Sequence, residues 1–200
     1  MMAPRTFNTV REKLYWTYSN LAMAHAALVQ GSPKYTRVNY MIRAKLNKGL
    51  LTGKMKLGSL FDDEREKMTH EKACHHCGAK ENLSIDHLFC VKMGGSDCAD
   101  NLVWSCKSCN SSKGKLDYLE WMQRRGEFPP LLVLRRYLKL VITWLDENGL
   151  MDEDLASFSQ CHPEAPFKID YLPGSFPAPG ELVLWKEKNH ELVPPKSAAK

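Results

Sequence analysis

Two adjacent side chains, Asp86 and His87, are of types that could carry out acid–base and metal chemistry. They stand at the end of a short run that begins with Ser84-Ile85 in the alternating manner of a half-buried strand. A neutral imidazole, whose ordinary pKa is about 6.5, can take a proton from water near neutral pH. A carboxylate is a ligand that hard divalent cations prefer. Two ionisable groups in this place therefore indicate a candidate site.

Two Cys-x-x-Cys pairs flank these residues and are typical of a zinc site. The first pair is Cys74 and Cys77, the second is Cys106 and Cys109, and 28 residues separate the pairs. Four thiolates complete a tetrahedral zinc shell that leaves no position for water or substrate, so the predicted zinc is structural. A redox dithiol needs only one pair, which disfavours that alternative. The two histidines inside the first pair are interpreted as lying near the metal or at the surface without binding it.

A β-hairpin followed by a helix would position these residues. Residues 83–90 and about 101–105 have the pattern of two strands, and a loop with Gly94-Gly95 joins them. The stretch CKSCNSSKGK then opens a helix. Asp86 and His87 would lie on the first strand, Asn101 would open the second, and Asn110 would follow the last cysteine on the helix.

Residues 74–113 carry five landmarks in this order: C-x2-C, DH, GG, NL and C-x2-CN-x2-K. With these landmarks the segment resembles the HNH endonuclease family and its ββα-metal fold. Asn110 stands where some members carry the last histidine of the family name. The resemblance implies an α+β, mostly helical fold. In that fold a ββα-metal core, made of a β-hairpin plus helix with structural zinc, is flanked by N- and C-terminal helices.

The resemblance also implies a metal-dependent endonuclease that hydrolyses DNA phosphodiester bonds. His87 is the candidate general base, and Asp86 and Asn110 offer oxygen ligands for one catalytic Mg²⁺ or Mn²⁺. Asn101 resembles the family's central asparagine, whose side chain steadies the loop that carries the histidine. Since neighbours on a strand face opposite ways, we expect either a bend at Asp86 or an imidazole that flanks the phosphate opposite the metal.

The distribution of charge favours a polyanionic partner. The first 145 residues hold 23 basic and 13 acidic side chains, whereas residues 146–200 hold five and ten. Residues 31–60 hold seven basic side chains and no acidic one. Such a field suits nucleic acid, although a solvated helix face is the alternative. The predicted nucleic-acid contacts are Lys34, Arg37, Lys45, Lys48 and Lys113, and Arg124, Arg125, Arg135 and Arg136 are expected to hold the backbone as well.

Four regions are predicted along the chain. Residues 1–73 form a helical, basic, nucleic-acid-contacting region, and residues 74–115 form the HNH ββα-metal nuclease core. In the first region one helix starts at a capping box, Thr9 to Glu12, and a second starts at Ser32-Pro33. Residues 116–158 form helices that pack on the core, one of them starting at Pro129-Pro130. Residues 159–200 form a Pro/Gly-rich extended arm that lies on the domain.

The surroundings of the protein are predicted only coarsely. No apolar run approaches the roughly 20 residues that cross a bilayer, and the N-terminus lacks an apolar signal segment, so we expect a cytoplasmic protein without a membrane partner. The expected substrate is double-stranded DNA, although the residues do not separate DNA from RNA. A homodimer or a partner protein from a defence system is compatible with the sequence. Restriction, phage defence and mobile elements all stay open as settings.

A second class of function stays open beside the enzyme. A zinc-stabilised nucleic-acid-binding module without cleavage activity would carry the same cysteines and basic segments. Such a module has no need for Asp86, His87 and Asn110 together, and this combination favours the nuclease.

Overall fold

The computed structural model describes residues 5–69 and 71–185. Its elements, in chain order, are α1 (Val10–Val29), α2 (Arg37–Leu51), α3 (Leu60–Thr69), β1 (Leu83–His87), β2 (Leu102–Cys106), α4 (Lys107–Lys113), α5 (Tyr118–Arg124), α6 (Leu131–Glu147) and α7 (Phe158–Cys161). The expected α+β, mostly helical fold is confirmed. Within the described ranges, no helix combines the length and hydropathy that a membrane span needs.

The N-terminal region is a pair of packed helices. α1 starts where Thr9 accepts a hydrogen bond from the Glu12 N–H, as the capping box predicts. The predicted start of α2 at Ser32-Pro33 is wrong. The helix begins at Arg37, because Thr36 and Asn39 cap each other's backbone N–H groups in a capping box of their own.

The core is organised around α6, which buries most of its length. Its aliphatic side chains pack with those of α1 and with the hairpin. The basic side chains of α6 meet acidic ones on α3: Arg135 and Lys139 pair with Asp63, and Arg136 pairs with Glu64. The expectation that Arg135 and Arg136 hold a nucleic-acid backbone is therefore wrong, because both are committed to ion pairs inside the protein.

The chain after α7 lies across the helical body as an extended arm, as far as it is described. Backbone N–H groups of Leu131 and Leu132, at the start of α6, donate to the carbonyls of Val183 and Leu184. The hydroxyl of Tyr35 donates to the Pro177 carbonyl at 2.7 Å. Residues 186–200 of the predicted arm lie outside the described residues.

The hairpin that carries the candidate site is short and regular. β1 and β2 are antiparallel, and Leu83 pairs with Cys106 at one end while His87 pairs with Leu102 at the other. α4 follows β2 without an intervening residue. The strand predicted over 83–90 thus ends at His87, which places the imidazole at the mouth of the loop between the strands.

Candidate active site and metal centre

Four cysteine sulfurs converge at one end of the hairpin. The Sγ atoms of Cys74, Cys77, Cys106 and Cys109 all lie within 4.8 Å of one another, and three of the four residues are buried. The backbone N–H of His75 donates to the Trp104 carbonyl at 2.8 Å, which holds the first cysteine pair against β2. Residues far apart in sequence are thus brought to one point.

The electrostatics of this cluster depend on whether the four cysteines are neutral thiols or charged thiolates. Burial raises the pKa of the Cys109 thiol far above its ordinary value. At Cys106 burial also acts to raise the pKa, but hydrogen bonds from the Cys109 N–H and the neighbouring thiols lower it to about 7. Packing four thiols so closely is costly unless a cation binds them as thiolates. The cluster suggests a structural zinc site with the four ligands that the spacing predicts.

Asp86 lies on the face of β1 that α4 covers. Its carboxylate is buried, and Oδ1 accepts the His87 backbone N–H at 2.8 Å and lies 3.4 Å from Lys113 Nζ. The other oxygen, Oδ2, is buried without a hydrogen-bond partner among the described residues. Burial raises the pKa of Asp86, and the Lys113 ammonium opposes that rise. Burying a carboxylate oxygen without a hydrogen-bond partner costs free energy and is unusual, unless a group from outside the protein binds that oxygen.

Asn110 stands in the middle of α4, close to the same face of β1. Its amide nitrogen lies 3.3 Å from Ser84 Oγ, and Ser84 shares a strand face with Asp86. Because the nitrogen donates to Ser84, the amide oxygen is left for another partner. The two oxygen donors that the sequence predicts for a catalytic cation are thus on adjoining elements.

His87 lies on the opposite face of β1, and the strand does not bend before it. Its Nε2 lies 2.8 Å from Asp97 Oδ1, and the imidazole is partly exposed. Of the two arrangements expected from the sequence, the bend at Asp86 is wrong, because the strand pairing is regular through His87. Sequence reasoning missed Asp97, since no spacing rule connects a loop carboxylate to a histidine ten positions earlier.

Asn101 joins the two sides of the loop between the strands. It is 0% exposed, its Oδ1 accepts the Phe89 N–H at 2.8 Å, and its Nδ2 donates to the carbonyls of Phe89 and Ser96. The backbone carbonyl of Asn101 also accepts the N–H of Leu88 at 2.9 Å. These contacts fix the two residues that directly follow His87.

The predicted nucleic-acid contacts divide into two groups. Lys34, Arg37, Lys45 and Lys48 are all exposed, the first just before α2 and the other three on it. Lys113 is 1% exposed and faces Asp86, so its side chain does not lie on the surface where a nucleic-acid contact was predicted. The two groups differ in side-chain burial, which a count of charges along the sequence does not reveal.

The two histidines between the first cysteines are core residues. His75 packs against Trp185, with ring centroids 4.5 Å apart, and His76 packs edge-on against Trp121 at 5.0 Å. Burial, with help from Lys113 and Arg125, lowers the pKa of His76 to about 3, so its ring is neutral at physiological pH. Neither is a surface group, so the alternative in which these two histidines lie at the surface is wrong.

A β-hairpin joined directly to a helix, with a four-cysteine cluster that suggests a zinc site, is consistent with a ββα-metal core. The comparison with family models agrees, because the model described as HNH endonuclease matches residues 74–116, less than a quarter of the 200-residue chain. The match confirms the resemblance and supports a nuclease-type function with a nucleic-acid partner. No curated protein and no solved structure matches the chain.

Proposed function

We propose that this protein is an HNH endonuclease that hydrolyses phosphodiester bonds of double-stranded DNA, with His87 as general base and one divalent cation at Asp86 and Asn110. The observation that carries the proposal is Oδ2 of Asp86, which is buried without a hydrogen-bond partner among the described residues, on the face of β1 opposite His87, whose imidazole Asp97 orients. A domain that only binds nucleic acid has no use for this combination.

His87 acts on the water that attacks phosphorus. With Nε2 held by Asp97, the other ring nitrogen, Nδ1, is the proton acceptor for the attacking water. A general base of this kind contributes roughly 10²–10⁴-fold to the rate. As the water oxygen bonds to phosphorus, the bond to the 3′ oxygen breaks, and that oxygen leaves with the proton it finally receives from solvent.

The residues present fit a hard cation. Asp86 Oδ2 and the Asn110 amide oxygen would hold Mg²⁺ or Mn²⁺, and two protein ligands leave room for water and phosphate oxygens. When bound, the cation would act as a Lewis acid that stabilises charge on the phosphate and the leaving oxygen. Lys113 holds Oδ1 of Asp86, which would leave Oδ2 available to the cation.

The remaining regions supply support and binding. Asn101 positions the loop behind His87 and takes no part in the chemistry. The basic residues of 1–73, namely Lys34, Arg37, Lys45 and Lys48, contact phosphates. Residues 74–115 form the nuclease core, residues 116–158 brace it, and residues 159–185 form the described part of the arm.

The test is nicking of supercoiled plasmid in Mg²⁺ or Mn²⁺, with EDTA as the metal-free condition. His87→Ala should lose at least about 100-fold in rate, while zinc content and DNA affinity persist. The matched control is His162→Ala, because His162 pairs with Glu164 and has no part in the proposed chemistry, and this variant should cut normally.

Two outcomes would contradict the proposal. A His87→Ala protein that cuts at the parental rate in Mg²⁺ would remove His87 as the base. A parent that binds DNA but does not cut it under any of these conditions would favour the zinc-stabilised binding module instead.

A further inference from the structure

Arg136 on α6 contacts the hairpin loop from outside the segment that matches the family. Its guanidinium is 3% exposed, and Nη1 lies 3.2 Å from the carbonyl oxygen of Asp100 and 3.4 Å from that of Ala99. The same Nη1 lies 2.8 Å from Glu64 Oε2 on α3. One buried cation thus joins α6, α3 and the 3-10 turn formed by Ala99–Asn101.

This turn ends at Asn101, whose contacts run directly to the candidate base. Through its side chain and its carbonyl, Asn101 holds Phe89 and Leu88, and Leu88 follows His87 in the chain. Asn101 Nδ2 also holds Ser96, the neighbour of Asp97. A shift of the turn would therefore move both the imidazole and its orienting carboxylate.

We propose that Arg136, with Glu64 as its carboxylate partner, is a positioning residue for the nuclease site. It fixes the carbonyls of the turn and, through Asn101, the place of His87. The inference rests on the proposed function, because it assigns Arg136 a role for the same histidine. It goes beyond that function by placing part of the site's support on two helices outside the HNH segment.

A purely structural role explains these contacts less well. Lys139, one turn of α6 further on, already ties α6 to α3 through Asp63 and the Ser59 carbonyl. Burying a second cation at this interface adds a desolvation cost. Within the part of the chain that the structure describes, Nη2 of Arg136 is moreover buried without a hydrogen-bond partner. The hydrogen bonds that this guanidinium donates go to the carbonyls of the turn and to Glu64.

The experiment compares Arg136→Met and Arg136→Lys with Lys139→Met in the full chain. Lys139→Met is the matched control, because it removes a buried cation from the same α3–α6 interface but leaves the contacts to the turn in place. Each protein is measured for kcat and KM on supercoiled plasmid with Mg²⁺. Hydrogen exchange of the Phe89 amide, which donates to Asn101 Oδ1, reports on the turn without any need for activity.

We expect kcat of Arg136→Met to fall about 10- to 100-fold, with KM within about twofold of the parent, since small misplacements of a catalytic group have effects of this size. Arg136→Lys, which keeps the charge and some donors, should recover part of kcat. The Phe89 amide should exchange faster in Arg136→Met than in Lys139→Met, whose kcat should stay near the parental value.

Parental kcat in Arg136→Met, or an equal fall of kcat in Arg136→Met and Lys139→Met, would overturn the proposal. If Arg136→Met does not fold, Arg136→Lys is compared with the control in its place, and parental kcat with unchanged Phe89 exchange overturns the proposal. If the parent itself does not cleave DNA, the proposed function fails, and Phe89 exchange alone decides whether Arg136 holds the turn.

Discussion

Replacing Asn101 by alanine removes the side chain that closes the loop behind His87. Three hydrogen bonds are lost: one from the Phe89 N–H and two to the carbonyls of Phe89 and Ser96. Ser96 is exposed, so its carbonyl can bond to water instead. Phe89 is buried, so its two backbone groups lose their partners.

The expected magnitude follows from these two groups. Each buried polar group without a partner costs about 1–3 kcal/mol, so Asn101→Ala should lower the free energy of unfolding by about 2–6 kcal/mol. For a chain of this size the lower limit already corresponds to a fall of at least about 4 °C in Tm. Because His87 is no longer held, kcat should also fall at least about tenfold.

The assay pairs calorimetry with plasmid nicking, and zinc content is measured on the same samples. Asn20→Ala is the control, because Asn20 is also buried and bonds the Trp16 carbonyl and Arg43 away from the hairpin. It should lose stability with kcat unchanged. An Asn101→Ala protein that melts within about 2 °C of the parent and cuts at the parental rate would refute this account of the loop.

Three further perturbations address the metal sites and the DNA surface. Removing zinc with a chelator, or Cys106→Ser, should unfold the hairpin region, measured by metal content and Tm; a Cys106→Ser variant that melts like the parent would count against a structural metal. Replacing Lys45 and Lys48 by alanine should weaken binding about equally for all DNA sequences and reduce its salt dependence, and a change confined to one sequence would contradict phosphate contact. Lys113→Met should raise the Mg²⁺ concentration needed for cleavage, more at pH 6 than at pH 8. Burial raises the pKa of Asp86 and Lys113 opposes the rise, so without that cation a proton competes better for the carboxylate as the pH falls; an unchanged metal requirement at both pH values would refute this.

The hairpin, the helix after it and the cysteine cluster could be predicted from sequence because their signals are local. Two Cys-x-x-Cys pairs limit the geometry by spacing alone, and the order of Asp86-His87, Asn101 and Asn110 places each on a definite element. The opposite orientation of Asp86 and His87 also follows from strand geometry. These features need no knowledge of how distant segments pack.

The partners of these residues could not be predicted in the same way. Asp97 meets His87 because of the conformation of an irregular loop, and Arg136 meets that loop because α6 crosses it. Two stretches of sequence could each cap the start of α2. The structure uses Thr36 with Asn39 and not Ser32-Pro33. In each case the deciding interaction is tertiary or is a competition between similar local signals.

Burial of charge narrows the surface on which DNA is expected. Counted along the sequence, Arg135, Arg136 and Lys139 strengthen the basic character of the first 145 residues, but all three form ion pairs with Asp63 or Glu64. The cations on and just before α2 have no such acidic neighbours in sequence, since residues 31–60 contain none, and they are exposed. The apolar side chains of Val38 and Met41 are 57% and 60% exposed on the same helix. Apolar side chains exposed together are more typical of a binding surface than of a helix that faces only water. An apolar contact with sugar or base, beside the phosphate contacts proposed for the lysines, would account for both features of α2, and we therefore expect DNA to approach the protein along this helix.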